Sequence, residues 1–395
     1  MTEHRGQRFD RRRFLGGGAA GAVGFGVGAA SAAVLRDTDP GEPATEPFYG
    51  PHQAGIATVP QAGVAFVALD LRPGTTREEL TGALRIWTDD AARLTQGRPA
   101  LADTEPELAL RPAHLTVTIG LGPGVFERCG LDAERPSWLI PLPPFPIDRL
   151  DPAFCGGDVL LQICAGESTA VAHAVRVLCR SVRSLMSVRW VQRGFRNGAP
   201  GATPRNLMGQ LDGTAGIAPA DFDRLVWDDG SAHPWLAGGT SMVLRRIAMT
   251  LDTWDEIDPE ARELTVGRTI ATGAPLTGTG EFDEPDFAAV DSNGIAVIPP
   301  SSHIARAHHR HEGERFHRRG YNYDDAPGPG AISNSGLLFT AYQRDPRTQF
   351  LPVQRRLAEF DALNIWTTPV GSAVFVIPPG VREPGEYIGG TLFES

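Results

Sequence analysis

The strongest constraint on the fold is an order of short apolar runs and helix-spaced segments that occurs twice along the chain. A short apolar run bounded by turn formers reads as a strand; apolar residues every three or four positions read as one helix face. In the first series Val64 to Leu71 predicts a strand, and Thr75 to Leu94 a helix with Leu80, Leu84 and Trp87 on one face. Leu115 to Gly120 and Asp158 to Cys164 predict strands, Ser168 to Leu185 a second helix, and Val188 to Phe195 a closing strand. The second series is less regular. Gly239 to Leu251 predicts a strand, Trp254 to Leu264 a short helix, Gly336 to Gln343 a strand, Pro346 to Phe360 a helix, and Ser372 to Ile377 the last strand. An insertion of roughly eighty residues separates the early and late elements of this series. Such loops on a rigid sheet are where function concentrates. The pattern predicts an α+β protein of two βαββαβ halves, spanning 48–215 and 216–395.

Composition removes several alternatives. Charged residues are 21% and hydrophobic residues 41% of the 395, which suits a globular chain with a sizeable core. The net charge of -10 argues against a nucleic-acid partner. All 37 basic residues are arginine. Without lysine there is no Schiff base to pyridoxal phosphate and no standard P-loop ammonium. Cys129, Cys155, Cys164 and Cys179 form no C-x-x-C pair, against a zinc ribbon or a thioredoxin-like site. They read as ordinary buried residues.

The N-terminus reads as an address. Asp10-Arg11-Arg12-Arg13-Phe14-Leu15 resembles a twin-arginine export signal, followed by a glycine-rich apolar run and the small-x-small sequence Ala30-Ser31-Ala32. The expectation is a signal over 1–32, a Pro-rich linker over 33–47, and export of the folded protein by the twin-arginine machinery. Its destination would be the periplasm, cell envelope or exterior, with no stable membrane insertion.

Five blocks carry a family resemblance. They are Tyr49-Gly50-Pro51-His52-Gln53-Ala54-Gly55-Ile56; Gly209-Gln210-Leu211-Asp212-Gly213-Thr214; Ser302-His303-Ile304 followed by Arg318-Arg319-Gly320-Tyr321; Gly336-Leu337-Leu338-Phe339; and Gly371-Ser372-Ala373-Val374-Phe375. In this order they resemble the dye-decolourising peroxidases over nearly all of the chain beyond the export signal. The resemblance implies two ferredoxin-like halves with antiparallel sheets, and one haem b in the C-terminal half. No C-x-x-C-H occurs, so that haem would be held non-covalently. By the same resemblance His303 is the proximal iron ligand, Asp212 the distal acid and Arg318 the distal arginine, with Arg319 the neighbour that could be mistaken for it. The arginine that usually follows His-Ile is displaced here, because Ala305 precedes Arg306. By the resemblance a haem-contacting arginine is expected nearby, and both Arg306 and Arg310 stand in position for that role.

The residue types suit the chemistry. A neutral imidazole binds iron and leaves the opposite face open. Its other N–H should meet a carboxylate, and Asp361 is the candidate. An ionised Asp212 could shuttle a peroxide proton, while Arg318 stabilises negative charge on the breaking O–O bond and keeps Asp212 ionised. The implied activity is reduction of hydrogen peroxide and one-electron oxidation of dyes or phenolic donors. The alternatives are a deferrochelatase-like role in iron uptake and a haem carrier without turnover, which would need neither Asp212 nor Arg318. Association into a homo-oligomer is left open. The histidine cluster His308, His309, His311 and His317 reads as a loop rather than a metal site, since arginines interrupt it.

Overall fold

The structure is a computed structural model that describes residues 44–198 and 202–394. The expected export signal therefore lies outside the described residues. Eight strands occur among the described residues: β1 (Gly63–Leu71), β2 (Thr116–Leu121), β3 (Val159–Ala165), β4 (Met186–Phe195), β5 (Thr240–Met249), β6 (His317–Asp324), β7 (Ser335–Gln343) and β8 (Thr367–Ile377). They close into one antiparallel barrel, ordered β1-β3-β2-β8-β5-β7-β6-β4. Within it, β4-β1-β3-β2 and β8-β5-β7-β6 repeat the same ferredoxin-like order. The two sheets meet at single pairs, Leu121 with Val376 and Phe195 with Asn322.

Local chemistry sets the helices of the first half. Thr76 and Glu79 form a reciprocal capping box that starts the helix Arg77–Leu94. That helix buries Leu80, Leu84 and Trp87, and the Trp87 indole donates to the Leu178 carbonyl of the helix Ser168–Ser181 at 2.8 Å. Both helices cover the outer face of the first sheet. The barrel interior holds Phe66, Met242, Leu244, Tyr321, Tyr342 and Phe375.

The seam between β2 and β8 has its own fastener. Gln53 donates to the carbonyls of Ile119 and Pro378, both at 2.9 Å, and accepts from the Ile119 amide at 2.8 Å. His52 stacks on Trp227 at 3.9 Å and bonds the Gly238 carbonyl. The first of the five sequence blocks thus closes the barrel.

Besides a last strand that starts at Thr367 rather than Ser372 and a second helix that ends at Ser181 rather than Leu185, three elements differ from expectation. The single helix expected over Trp254 to Leu264 is two, Leu251–Trp254 and Pro259–Val266. Asp258 caps the second by accepting from Ala261 N, and Pro259 fits its first turn. The helix expected from Pro346 begins at Phe350, because Asp345 binds the Arg347 amide and holds a turn there. Strand β6 is not among the expected elements. Its inward positions include Arg319, which disguises the alternation.

Candidate active site

The second half keeps the frame of the first but opens its outer face. Along β6, Arg318 and Gly320 are half-buried while Arg319 and Tyr321 are buried; along β7, Leu337 and Phe339 are half-buried while Leu338 and Thr340 are buried. Instead of one long helix, residues 250–316 lie between β5 and β6.

His303 opens the short helix His303–Ala307. This helix is tied to the helix Phe350–Phe360 by reciprocal bonds, Arg306 Nε to the Arg356 carbonyl at 3.1 Å and Arg356 Nε to the Arg306 carbonyl at 3.4 Å. The Ala362 amide donates to the Ser301 carbonyl at 2.8 Å. Asp361 ends the longer helix. One of its oxygens accepts from the Leu363 amide at 2.9 Å, and the other accepts the His303 Nδ1 proton at 2.7 Å. Burial alone would lower the proton affinity of His303, but the charge and hydrogen bond of Asp361 outweigh it, and the net pKa is raised.

Asp212 and Arg318 come together on the same side. Their closest approach is 3.4 Å, and both side chains are partly exposed. Neither side chain makes a hydrogen bond among the described residues, so most of their polar capacity is free. Their charges act on His303 in opposite directions, the guanidinium lowering and the carboxylate raising its proton affinity. Beside them, burial and then Arg319 push His317 down to about 4, and its Nε2–H donates to the Ile56 carbonyl at 3.1 Å.

Arg306 reaches Glu359 at 3.2 Å and lies over the Phe360 ring. Arg319 points into the barrel, where it binds Thr58 O, Gln61 and Tyr321. Among the described residues no group of three His, Cys, Asp or Glu could hold a bare metal ion. His308 and His309 stack on each other, and Phe287 packs edge-on to His308. Glu281 carries no signal in the sequence, yet it bonds both Thr203 and Thr214 beside Asp212. It sits in a loop of many acids, which conceals it.

The arrangement fits an iron porphyrin on one direct observation. His303 Nδ1 is fixed by Asp361, and Nε2 has no protein partner among the described residues. A nitrogen presented in that way, its partner nitrogen held by a carboxylate, suits a ligand to iron. The class so defined is a haem-dependent peroxidase on a duplicated ferredoxin-like frame. Within that class the chain belongs to the Dyp-type, or dye-decolourising, peroxidase family.

The family descriptions matched are "Dyp-type peroxidase, N-terminal" over residues 53–196 and "Dyp-type peroxidase, C-terminal" over 203–382. The chain is 40% identical to the dye-decolorizing peroxidase of Thermobifida fusca, covering 100% of this chain and 99% of that protein. It is 36% identical to the deferrochelatase of Escherichia coli K12, covering 88% and 87%. Among solved structures, a DyP-type peroxidase from Cellulomonas bogoriensis has 56% identity and a TM-score of 0.88, covering 91% of this chain and 100% of that one. Ferric DtpA from Streptomyces lividans has 39% identity and a TM-score of 0.85, covering 89% and 98%.

Proposed function

We propose that the protein reduces hydrogen peroxide with His303, Asp212 and Arg318 in divided roles, and oxidises dye-like or phenolic donors by single electrons. Haem b, when bound, supplies the iron at which peroxide is reduced. His303 would hold that iron through its free ring nitrogen, and Asp361 fixes the ring and raises its basicity. Asp212 takes the proton from the near oxygen of peroxide and returns it to the departing one, directly or through water. Arg318 pairs with Asp212 and stabilises the negative charge that develops as the O–O bond parts. Two observations support this reading: the partly exposed ion pair Asp212–Arg318, and an imidazole at His303 with one nitrogen held by Asp361 and the other free of protein partners among the described residues.

Asp212→Ala and Arg318→Ala should each slow the reaction with peroxide by at least about tenfold, the low end for a positioned acid–base or electrostatic group. Stopped-flow absorbance on haem-loaded protein measures this. Unchanged rates in both variants would remove the assignment.

The chain is further proposed to leave the cytoplasm folded, on the strength of Arg11-Arg12 and the small-residue sequence at Ala30-Ser31-Ala32. No helix of the described residues is long and apolar enough to cross a membrane. Replacing both Arg11 and Arg12 by Lys should leave the protein in the cytoplasmic fraction; undiminished export would refute the proposal.

A further inference from the structure

The loop that carries Asp212 is well fixed at its tip. Within 203–214, Asn206 N donates to the Gln210 carbonyl at 2.9 Å, and Asp212 N donates to the Pro204 carbonyl at 2.8 Å. The Asn206 side chain accepts from Met208 N and Gln210 N. Arg205 reaches across to the carbonyls of Gly209, Ile270 and Ala271.

The leg that leaves this loop has no comparable lattice. Asp212 is followed by Gly213, at a φ of 139° that side-chain-bearing residues rarely adopt, and Gly216 lies three residues further on. Between these two permissive points stands Thr214. Its hydroxyl donates to Oε1 of Glu281 at 2.9 Å, and the Thr203 hydroxyl donates to the same oxygen at 2.5 Å. One carboxylate oxygen therefore joins the two legs of the Asp212 loop at their base.

Glu281 is itself held. Arg268 donates to the Glu281 carbonyl at 2.7 Å and to the Gly273 carbonyl at 2.6 Å. Asp283 accepts from Thr279 N and Gly280 N, both at 2.8 Å, which fixes the turn just before Glu281. The clamp is thus built into the segment between β5 and β6, and its hold extends to the residue facing Arg318.

We propose that Glu281 is a positioning residue: by clamping Thr203 and Thr214 it holds the Asp212 carboxylate at its working distance from Arg318. This rests on the reading of Asp212 as the group that moves the peroxide proton. A proton shuttle loses rate steeply when its carboxylate wanders by about 1 Å. The clamp needs only an acceptor oxygen and no charge, so an amide can replace it.

The test uses two readouts on four variants. In the haem-free protein, Glu281→Ala should speed hydrogen exchange of peptides spanning 203–214 by severalfold, and Thr214→Val should do so to a similar degree. In the loaded protein, Glu281→Ala should slow the reaction with peroxide by about threefold to tenfold, with an unchanged haem content. Glu281→Gln keeps an acceptor oxygen and should recover both readouts to within about twofold of the parent chain. A Glu281→Ala variant with parental exchange and parental rate overturns the clamp while Asp212→Ala remains slow. Failure of Glu281→Gln to recover either readout also overturns it, since that would make charge rather than hydrogen bonding the cause. If Glu281→Ala loosens the loop but neither it nor Asp212→Ala slows the reaction, the proposal falls through the reading of Asp212 instead.

Discussion

The two halves of the barrel have the same strand order and opposite uses for their outer faces. In the first half, β2 and β3 are buried at every position, because the helices Arg77–Leu94 and Ser168–Ser181 lie across them. In the second half, β6 and β7 are less completely covered, with Arg318, Gly320, Leu337 and Phe339 half-buried. There the connection between β5 and β6 has become a long segment of short helices and turns, while the helix Phe350–Phe360 stays in the place its counterpart has in the first half. Exchanging one apolar cover for a polar segment gives up part of the hydrophobic stabilisation and lets that segment carry His303. The frame tolerates that exchange on one face because the other remains packed, and because one closed barrel joins both sheets.

If the division of labour holds, the largest effect comes from the second half. His303→Ala should abolish haem retention while leaving far-ultraviolet circular dichroism near that of the parent chain. The short helix keeps its other attachments, since the Arg306 and Arg356 bonds and the Ala362-to-Ser301 bond do not involve the imidazole. Purification with the cofactor supplied, followed by the Soret absorbance per protein, measures it. A normal haem complement in this variant would undo the contrast between the halves at its centre.

A second test belongs to the first half. Trp87 is fully buried and hydrogen-bonded to Leu178. Trp87→Ala should cost about 3–5 kcal/mol, the usual range for emptying a large aromatic site. Denaturant unfolding of the haem-free protein reads that loss. The folded fraction should still bind haem with an unaltered Soret band, and a shifted band would show that the packed half reaches the haem site after all.

The same contrast explains what the sequence discloses. Strands whose faces are both apolar, such as Val159–Ala165, are continuous hydrophobic runs and are readable directly. Strand β6 is not, because His317, Arg318 and Arg319 place three basic side chains on its two faces, and buried Arg319 is satisfied by carbonyls, Gln61 and Tyr321 rather than by an acid. The identities of His303, Asp212 and Arg318 come from resemblance; periodicity has no means of joining positions so far apart in the chain. The Asp361 partner follows from the chemistry of a ligating imidazole. Glu281 is illegible, since an acid among Asp283, Glu284 and Asp286 looks like a solvated run until the fold brings Thr203 and Thr214 to it. Gln53 stands in a recognisable block, but its work at the barrel seam depends on Ile119 and Pro378, which only tertiary structure supplies.

The smallest expected effect asks whether the packed half is only a scaffold. Asp90 is buried in the last turns of the helix Arg77–Leu94, and its pKa is raised from 3.8 to about 6. Burial is the main cause and the neighbouring Asp89 adds to it, with a smaller push from Asp103; the Leu101 amide and Arg93 pull the other way. Arg180 and Arg183 line the same cavity. The folded state therefore prefers the protonated acid. That preference contributes fully below about pH 4, where Asp is protonated in the unfolded chain too, and is lost as pH rises through about 6. Asp90→Asn mimics the neutral form at every pH. Relative to the parent chain it should gain on the order of 2–3 kcal/mol between pH 4 and pH 8, because each tenfold difference in proton affinity is worth about 1.36 kcal/mol. Urea unfolding at the two pH values measures the difference. The peroxide reaction should keep its pH profile, because no group around His303, Asp212 or Arg318 is touched. A profile displaced by Asp90→Asn would mean that the two faces are electrically coupled through the barrel, and the first half would then be part of the site rather than its support.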